Sequence, residues 1–357
     1  VLPAEWQGHK LNLLDVPGYM DFVGEVKTAI RAVDAAVLVI CASSGVEVGA
    51  EMHWAFLDEA QMPRLVFINK MDRDNASFSR TLEQLRNKFD KTFVVVQMPI
   101  GAQDSFTGVI DLIELKAYMG PDSVEAPIPA DLRDQATEAR QQMMEFAAES
   151  DDELMMKYLE GEELTADEVR SGLAKGSNAG SIVLVLGGSG AKNIGVRRLM
   201  DAIVSFLPSP AAANRKAQDL ATNEAVDLAA NAAGPLAVQV FKTLADPFVG
   251  RLSYFRVVSG TFVSDSRVFN STKSAEERVA QLFMPRGKEQ IQVPSVKAGD
   301  IGVVAKLSVT STGDTLCDRG MPLSLPPIVY PEPLYSVAVF PKTKADLDKM
   351  GNGLSRL

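Results

Sequence analysis

Cysteine and histidine are scarce in these 357 residues: Cys41, Cys317, His9 and His53 are all there is of either. The two cysteines stand far apart, which argues against a disulfide framework and a cysteine-built metal site. Two isolated histidines give no zinc-ligand spacing and no nucleophile–base pair. Long hydrophobic runs are also missing. The longest are strand-sized, too short to cross a bilayer, and no signal-peptide pattern opens the chain. There is no internal repeat and no low-complexity tract. The remainder has the composition of a soluble cytoplasmic protein of two or three domains.

Positive charge is short overall, with a net charge of −10, but the deficit is local. Residues 99–180 hold 18 Asp and Glu against 6 Lys and Arg, so the rest of the chain is slightly basic. The acid concentrates between Asp131 and Glu168. Leu132, Ala136, Ala139, Met143, Phe146 and Ala147 fall at helical spacing between the charges. Thr165-Ala166-Asp167-Glu168 reads as a helix start with acid in its first turn rather than a full capping box. Two readings of the acidic stretch stay open: a solvated helical surface, or a docking face for a basic partner.

The chemistry-bearing residues lie at the ends of apolar runs. Leu65-Val66-Phe67-Ile68 predicts a buried parallel strand and leads into Asn69-Lys70-Met71-Asp72. A carboxylate at Asp72 can accept from both the ring N–H and the exocyclic amine of guanine. Adenine lacks that amine, and an unpaired buried polar group makes the rejection strong. The Lys70 stem can cover the base, and the Asn69 amide can tie neighbouring loops. Upstream, Asn12-Leu13-Leu14 predicts the end of another apolar strand, feeding Asp15-Val16-Pro17-Gly18. Asp15 can hold Mg²⁺ through water, and Gly18 allows a backbone N–H close to a terminal phosphate. Ala35-Ala36-Val37-Leu38-Val39-Ile40 predicts a third buried strand between the motifs.

In these motifs the chain resembles the translational GTPases, elongation factor G most closely, and the likeness runs almost end to end. Residues 18–26 resemble the family's second switch. Residues 69–73 match its base-reading motif, and residues 188–196 resemble the loop that closes over guanine. Residues 206–210 resemble the exit from the nucleotide domain. Residues 246–250, 256–260, 298–301 and 312–316 resemble the second domain's β-barrel. Residues 331–333 and 341–346 resemble the opening of the third domain. The resemblance implies GTP/GDP and Mg²⁺ as ligands, with Asn69, Lys70, Asp72, Ser189, Gly190 and Ala191 on the base. Asp15 and Gly18 would stand at the phosphates, and Gly18 and Tyr19 at the hydrolytic centre. It implies a monomer acting on the ribosome, with rRNA and the ribosomal stalk protein as contacts and no membrane.

Two departures from the family qualify this. Gly-x-x-x-x-Gly-Lys-Ser/Thr occurs nowhere in residues 1–357, nor does a first switch. The expectation is therefore a fragment of a longer protein, inactive as a GTPase on its own. In addition, Tyr19 stands where elongation factor G usually carries histidine, as in an elongation factor G-like paralogue of some bacteria. A phenol donates and accepts a hydrogen bond but does not become a cation near pH 7. Slowed hydrolysis and a hydroxyl that still orients water are both open. So is a ribosome-binding protein with little GTPase activity, or a ribosomal protection or release-factor-type GTPase.

The expected fold class is a multidomain α/β and all-β chain. Residues 1–210 form a P-loop GTPase-type domain with a parallel-rich sheet, including an acidic inserted subdomain at 99–180. A helix-containing linker follows at 211–234, then a β-barrel at 235–327, then the beginning of a ferredoxin-like α+β domain at 328–357. Within the barrel Arg251, Arg256, Arg267, Lys273, Arg278, Arg286 and Lys288 supply positive charge. Met284-Pro285-Arg286-Gly287-Lys288 reads as a loop with two cations for phosphates at its tip.

Overall fold

The computed structural model describes residues 1–213, 215–246, 250–287, 289–333 and 335–354. The chain divides into two compact units, Leu2–Val26 with Val33–Ala213, and Val1 with Lys27–Ala32 and Asn214–Leu357.

The first unit opens with β1 (Leu2–Trp6) and β2 (His9–Leu13), an antiparallel hairpin. Helices and strands then alternate: α1 (Val23–Ala32), β3 (Ala36–Cys41), α2 (Val48–Glu59), β4 (Arg64–Asn69), α3 (Phe78–Lys88) and β5 (Thr92–Val95). An antiparallel meander follows, β6 (Gln97–Ile100), β7 (Gly108–Asp111), β8 (Lys116–Met119) and β9 (Val124–Ala126). Helices α4 (Arg133–Glu149), α5 (Asp152–Leu159) and α6 (Ala166–Ala179) complete the insertion, before β10 (Ile182–Gly187) and α7 (Val196–Phe206). The central sheet runs β3-β4-β10-β5, every pair parallel. β4 is continuous apolar sequence because both faces are covered: Leu65, Val66 and Ile68 are fully buried and Phe67 nearly so.

β2 differs from the expected buried strand. It pairs with β1 in a separate two-stranded sheet, and all five of its residues are exposed or half-buried. Lys10 and Asn12 alternate with Leu11 and Leu13, a pattern that covers one face at most. The apolar spacing in the acidic stretch does form a helix. Ala136, Met143 and Ala147 on α4 are buried, with Leu132, Ala139 and Phe146 packed beside them. The start of α6 is a complete capping box, contrary to the expectation. The Thr165 hydroxyl accepts from Glu168 N, and Glu168 Oε2 accepts from Thr165 N at 2.8 Å. The Lys157 ammonium, with the Thr165 donors, brings the Glu168 carboxyl down to about 2. Glu168 is the long acid at the third helical position, and counting from Thr165 as the cap finds it.

The second unit is antiparallel. Its strands are β11 (Arg215–Asp219), β12 (Ala225–Leu228), β13 (Ala237–Asp246), β14 (Gly250–Ser259), β15 (Thr261–Val263) and β16 (Arg267–Asn270). β17 (Ala275–Arg278), β18 (Leu282–Arg286), β19 (Glu289–Val293) and β20 (Ser295–Lys297) follow, then β21 (Ile301–Ala305), β22 (Thr315–Cys317) and β23 (Leu323–Ser324). Eight of them form one sheet in the order β17-β16-β22-β13-β14-β21-β18-β19. Its apolar core includes Val238, Val240, Phe255, Val257 and Phe262, with Phe255 and Phe262 edge to face at 4.8 Å.

Three expectations fail in this unit. The Ala-rich stretch after 211 carries no α-helix among the described residues. β11 and β12 pair with each other and with β23, burying Ala217 and Leu228 against Leu323. Alanine's helix preference, a few tenths of a kcal/mol per residue, yields to sheet pairing and burial. Met284-Pro285-Arg286 is the end of β18, in register with β19, and the chain turns at Gly287 with φ of +64°; Lys288 lies outside the described residues. Arg256 is 4% exposed, which removes it from any surface phosphate contact. Pro247, Phe248 and Val249 of the 246–250 motif also lie outside the described residues. Beyond β23, the described residues of 325–343 form no strand, and Tyr335 and Phe340 are exposed; α8 (Leu347–Leu354) follows.

One buried charge in this unit was not legible beforehand. Glu277, on β17, is 2% exposed. Its carboxylate accepts from the backbone N–H groups of Ser308, Val309 and Thr310 and from the Ser308 and Thr310 hydroxyls, at 2.7–3.0 Å. Burial alone would raise its pKa; those donors outweigh burial and hold it below the ordinary range.

Candidate functional site

β4 and β10 are adjacent and parallel, so the loops after them emerge side by side at the carboxyl ends of the sheet, where open α/β sheets bind ligands. Asn69 ends β4. Its Oδ1 accepts from Lys70 N at 2.8 Å and from Gly190 N at 2.9 Å, 121 residues away. Met71 N donates to Gly188 O at 3.1 Å, and Gly188 N to Ile68 O at 2.9 Å. The second loop is closed by a reciprocal backbone pair between Ser189 and Ile194, at 2.9 and 3.0 Å, and the Ser189 hydroxyl accepts from Lys192 N. Gly188 is required by space, since a Cβ there would lie 2.6 Å from both Ile194 O and the Phe67 ring. Gly195, with φ of +79°, supplies the left-handed turn into α7.

Asn69, Lys70, Asp72, Ser189, Gly190 and Ala191 are thus brought to one corner. Lys70 is exposed and takes a left-handed backbone, φ +63°. That conformation is uncommon for lysine and turns the chain sharply after the strand. Asp72 is half-buried, and its Oδ1 is enclosed with no hydrogen-bond partner. The Ser189 hydroxyl holds the Asp72 carboxyl below its usual range, against the raising effect of burial, with Lys192 and Arg73 adding to the depression. An ionised carboxylate with one oxygen unpartnered among the described residues, in a corner lined by backbone, suits a ligand edge that donates hydrogen bonds.

The first motif does not join that network. Asp15 and Gly18 lie on an exposed segment without regular structure, and Tyr19 is 77% exposed ahead of a single turn of 3₁₀-helix, Met20–Phe22. Among the described residues nothing lies within 4 Å of where a Gly18 side chain would begin, so their packing does not demand glycine there. For Mg²⁺ the donor set is sparse. Among the described residues no group of three His, Cys, Asp or Glu is placed to hold a metal.

Arg80 escaped the sequence reading. From the first turn of α3 its Nη2 donates to Ala42 O, Ser43 O and Asn75 O at 2.8–3.0 Å, while Ala42 N donates to Asn69 O at 2.8 Å. One guanidinium therefore fastens the loop after β3 to the loop after Asp72. A cation in the first turn of a helix, against the dipole, was the available signal.

The sheet order and the paired loops define a guanine-nucleotide type of α/β domain, followed in sequence by an antiparallel β unit. Residues 1–209 match the elongation factor Tu GTP binding domain, and residues 235–319 match elongation factor G domain 2. A crystal structure of a protein from Thermus thermophilus is similar, with a TM-score of 0.83 at 29% identity. The alignment covers 99% of this chain and 51% of that one, so the chain spans about half the length of that relative. The protein belongs to the translational GTPases and is of the elongation factor G type.

Proposed function

We propose that the protein couples GTP binding and hydrolysis to movement or remodelling of the ribosome, as a cytoplasmic monomer. The observation that carries the nucleotide reading is the Asn69–Gly190 tie beside the enclosed, unpartnered Asp72 oxygen. In this reading Asn69, Lys70 and Asp72 recognise guanine, and the Ser189-Gly190-Ala191 backbone closes over the base edge. Asp15 would hold Mg²⁺ through water; the ion would neutralise phosphate charge. Gly18 leaves room for a terminal phosphate, and the 18–25 segment, exposed through Phe22, carries the nucleotide state outward. The acidic helices α4–α6 suit a basic ribosomal partner such as the stalk, and the β unit's arginines suit rRNA.

Residues 1–357 contain no Gly-x-x-x-x-Gly-Lys-Ser/Thr, the loop that supplies most backbone donors to phosphates. The base corner alone leaves a highly charged ligand largely unheld. Isothermal titration of this 357-residue chain should give GDP binding weaker than low micromolar. A low-micromolar constant would mean that other residues here grip the phosphates.

A second reading, a ribosome binder with little hydrolysis, is favoured by Tyr19, a neutral and exposed phenol. Water positioning and charge stabilisation dominate phosphoryl transfer, and a misplaced positioning group costs on the order of 10²-fold. Single-turnover GTP hydrolysis on ribosomes by the full-length protein should be slow and should rise at least tenfold in Tyr19→His. Fast wild-type turnover that collapses in Tyr19→Phe would instead make the tyrosine hydroxyl itself competent.

A further inference from the structure

Apart from the base corner, the first unit carries a partly open polar cavity of about 220 Å³ between β6, the loop after β7, and α7. Among its walls are three buried atoms without hydrogen-bond partners: Gln97 Oε1, Arg198 Nε and Asp201 Oδ2. Gln97 is 3% exposed, so water outside the cavity does not reach it. The surrounding groups are engaged elsewhere. Asp201 Oδ1 accepts from Trp6 Nε1 and Gln7 Nε2, both at 2.8 Å. Asp201 Oδ2 lies 3.1 Å from Arg198 Nη2 as an ion pair only, and the Arg198 guanidinium sits 4.0 Å over the Tyr118 ring. Glu114 takes Arg170 at 2.7 Å and the Tyr118 hydroxyl. Asp111, opposite Gln97 in the strand register, uses Oδ1 on the N–H groups of Ile113 and Glu114.

Buried polar atoms are rarely left unpaired, and three around one small cavity specify what would satisfy them. Two acceptors need a donor-rich group, and one charged donor needs an acceptor. An ammonium alone leaves Arg198 Nε unmatched; a carboxylate alone leaves Gln97 and Asp201 unmatched. Ile113, Leu186 and Phe206 form an apolar part of the wall. The volume is below the roughly 300–1,000 Å³ of pockets for drug-sized ligands. We propose that this cavity binds a small zwitterionic α-amino acid with a short aliphatic side chain. Its ammonium meets Gln97 Oε1 and Asp201 Oδ2, its carboxylate meets Arg198 Nε, and its side chain lies on the apolar wall. Burial pushes the Asp111 carboxyl up, and an adjacent ammonium would relieve that.

Isothermal titration of L-alanine into the purified protein tests this, with methylammonium and acetate as single-ended probes. The expected result is saturable, roughly millimolar binding of alanine and no measurable binding of either probe. Gln97→Leu, which removes the amide but keeps an apolar body, should weaken alanine at least tenfold. Ser205→Phe places bulk at the exposed rim without touching the polar atoms and should do the same. Absence of alanine binding leaves a cavity that holds only water and overturns the proposal. Methylammonium or acetate binding as tightly as alanine overturns it in favour of a plain cation or anion site. Should Gln97→Leu not fold, Ser205→Phe decides alone; wild-type affinity in either folded variant also overturns it.

Discussion

Asp72→Asn in the full-length protein should reverse the base preference, lowering affinity for GDP and raising it for xanthosine diphosphate. Xanthine presents a carbonyl where guanine presents its 2-amino group. The carboxylate accepts only, whereas an amide also donates, so the substitution turns a match into a clash for one base and the reverse for the other. Sites built to pair a ligand's polar edge discriminate by as much as about 10⁴-fold. Because one face of the ligand stays unchanged here, a change in the affinity ratio of about 10²-fold or more is expected. The enclosed Asp72 oxygen has no internal partner to compensate. The Ser189 hydroxyl keeps the carboxyl ionised below the ordinary range, so GDP preference should be flat from pH 8 to pH 5, both well above a carboxylate's usual value of about 3.9. Competition titrations with the two diphosphates decide the matter; an unaltered ratio removes Asp72 from base reading.

Glu277→Ala should produce the largest loss of stability in the β unit. The substitution leaves three backbone N–H groups and two hydroxyls of residues 308–310 without their acceptor, in a place that is 2% exposed at the carboxylate's own residue. Stranded buried donors cost about 1–3 kcal/mol each where water does not enter, and relaxation recovers part, so about 3–5 kcal/mol is expected. Glu277→Gln, which keeps an acceptor but forces an amide donor among donors, should fall between. The pH dependence has a definite sign. The folded pKa is below the unfolded value of about 4.3, so the contribution is full above that value and is lost as pH falls through the folded pKa. Urea unfolding at pH 7 and pH 3 measures both. A loss under 1 kcal/mol at pH 7 would mean that the 308–310 turn finds other acceptors.

Much of the first unit was legible because its signals are local. Leu65–Ile68 is apolar on both faces and is buried on both, and the two loops at the strand ends carry residue types whose chemistry is recognisable singly. The α4 spacing worked for the same reason. Failures came where distant partners decide. β11 and β12 pair locally, but the third strand that completes their sheet, β23, lies about a hundred residues later, and no local propensity contains that fact. β2 is a different case: its partner β1 is its immediate neighbour, and what the apolar reading missed is that Lys10 and Asn12 alternate with Leu11 and Leu13. Glu277 sits in a sequence that reads as an ordinary charged strand, and only the fold brings residues 308–310 over it. In the base corner, Asn69 and Asp72 were visible by type, whereas Arg80 was not, since its three carbonyl partners are defined only by how loops cross. Ser189 was expected at the base from the resemblance, but its proximity to Asp72, which lowers that carboxyl's pKa, was not legible.

The two halves of the candidate site differ in how firmly they are set. The corner around Asn69 is assembled by its own hydrogen bonds, through strand ends, a bridged loop and the Arg80 clamp. The Asp15–Phe22 segment, by contrast, stands in solvent. A rigid receptor gives the same answer to every guanine nucleotide and so cannot report which one it holds. Under the proposed function, registering the third phosphate would fall to the exposed segment. Under that function the chain would separate address from message: one end would recognise the class of molecule, and the other would register whether its fuel is spent.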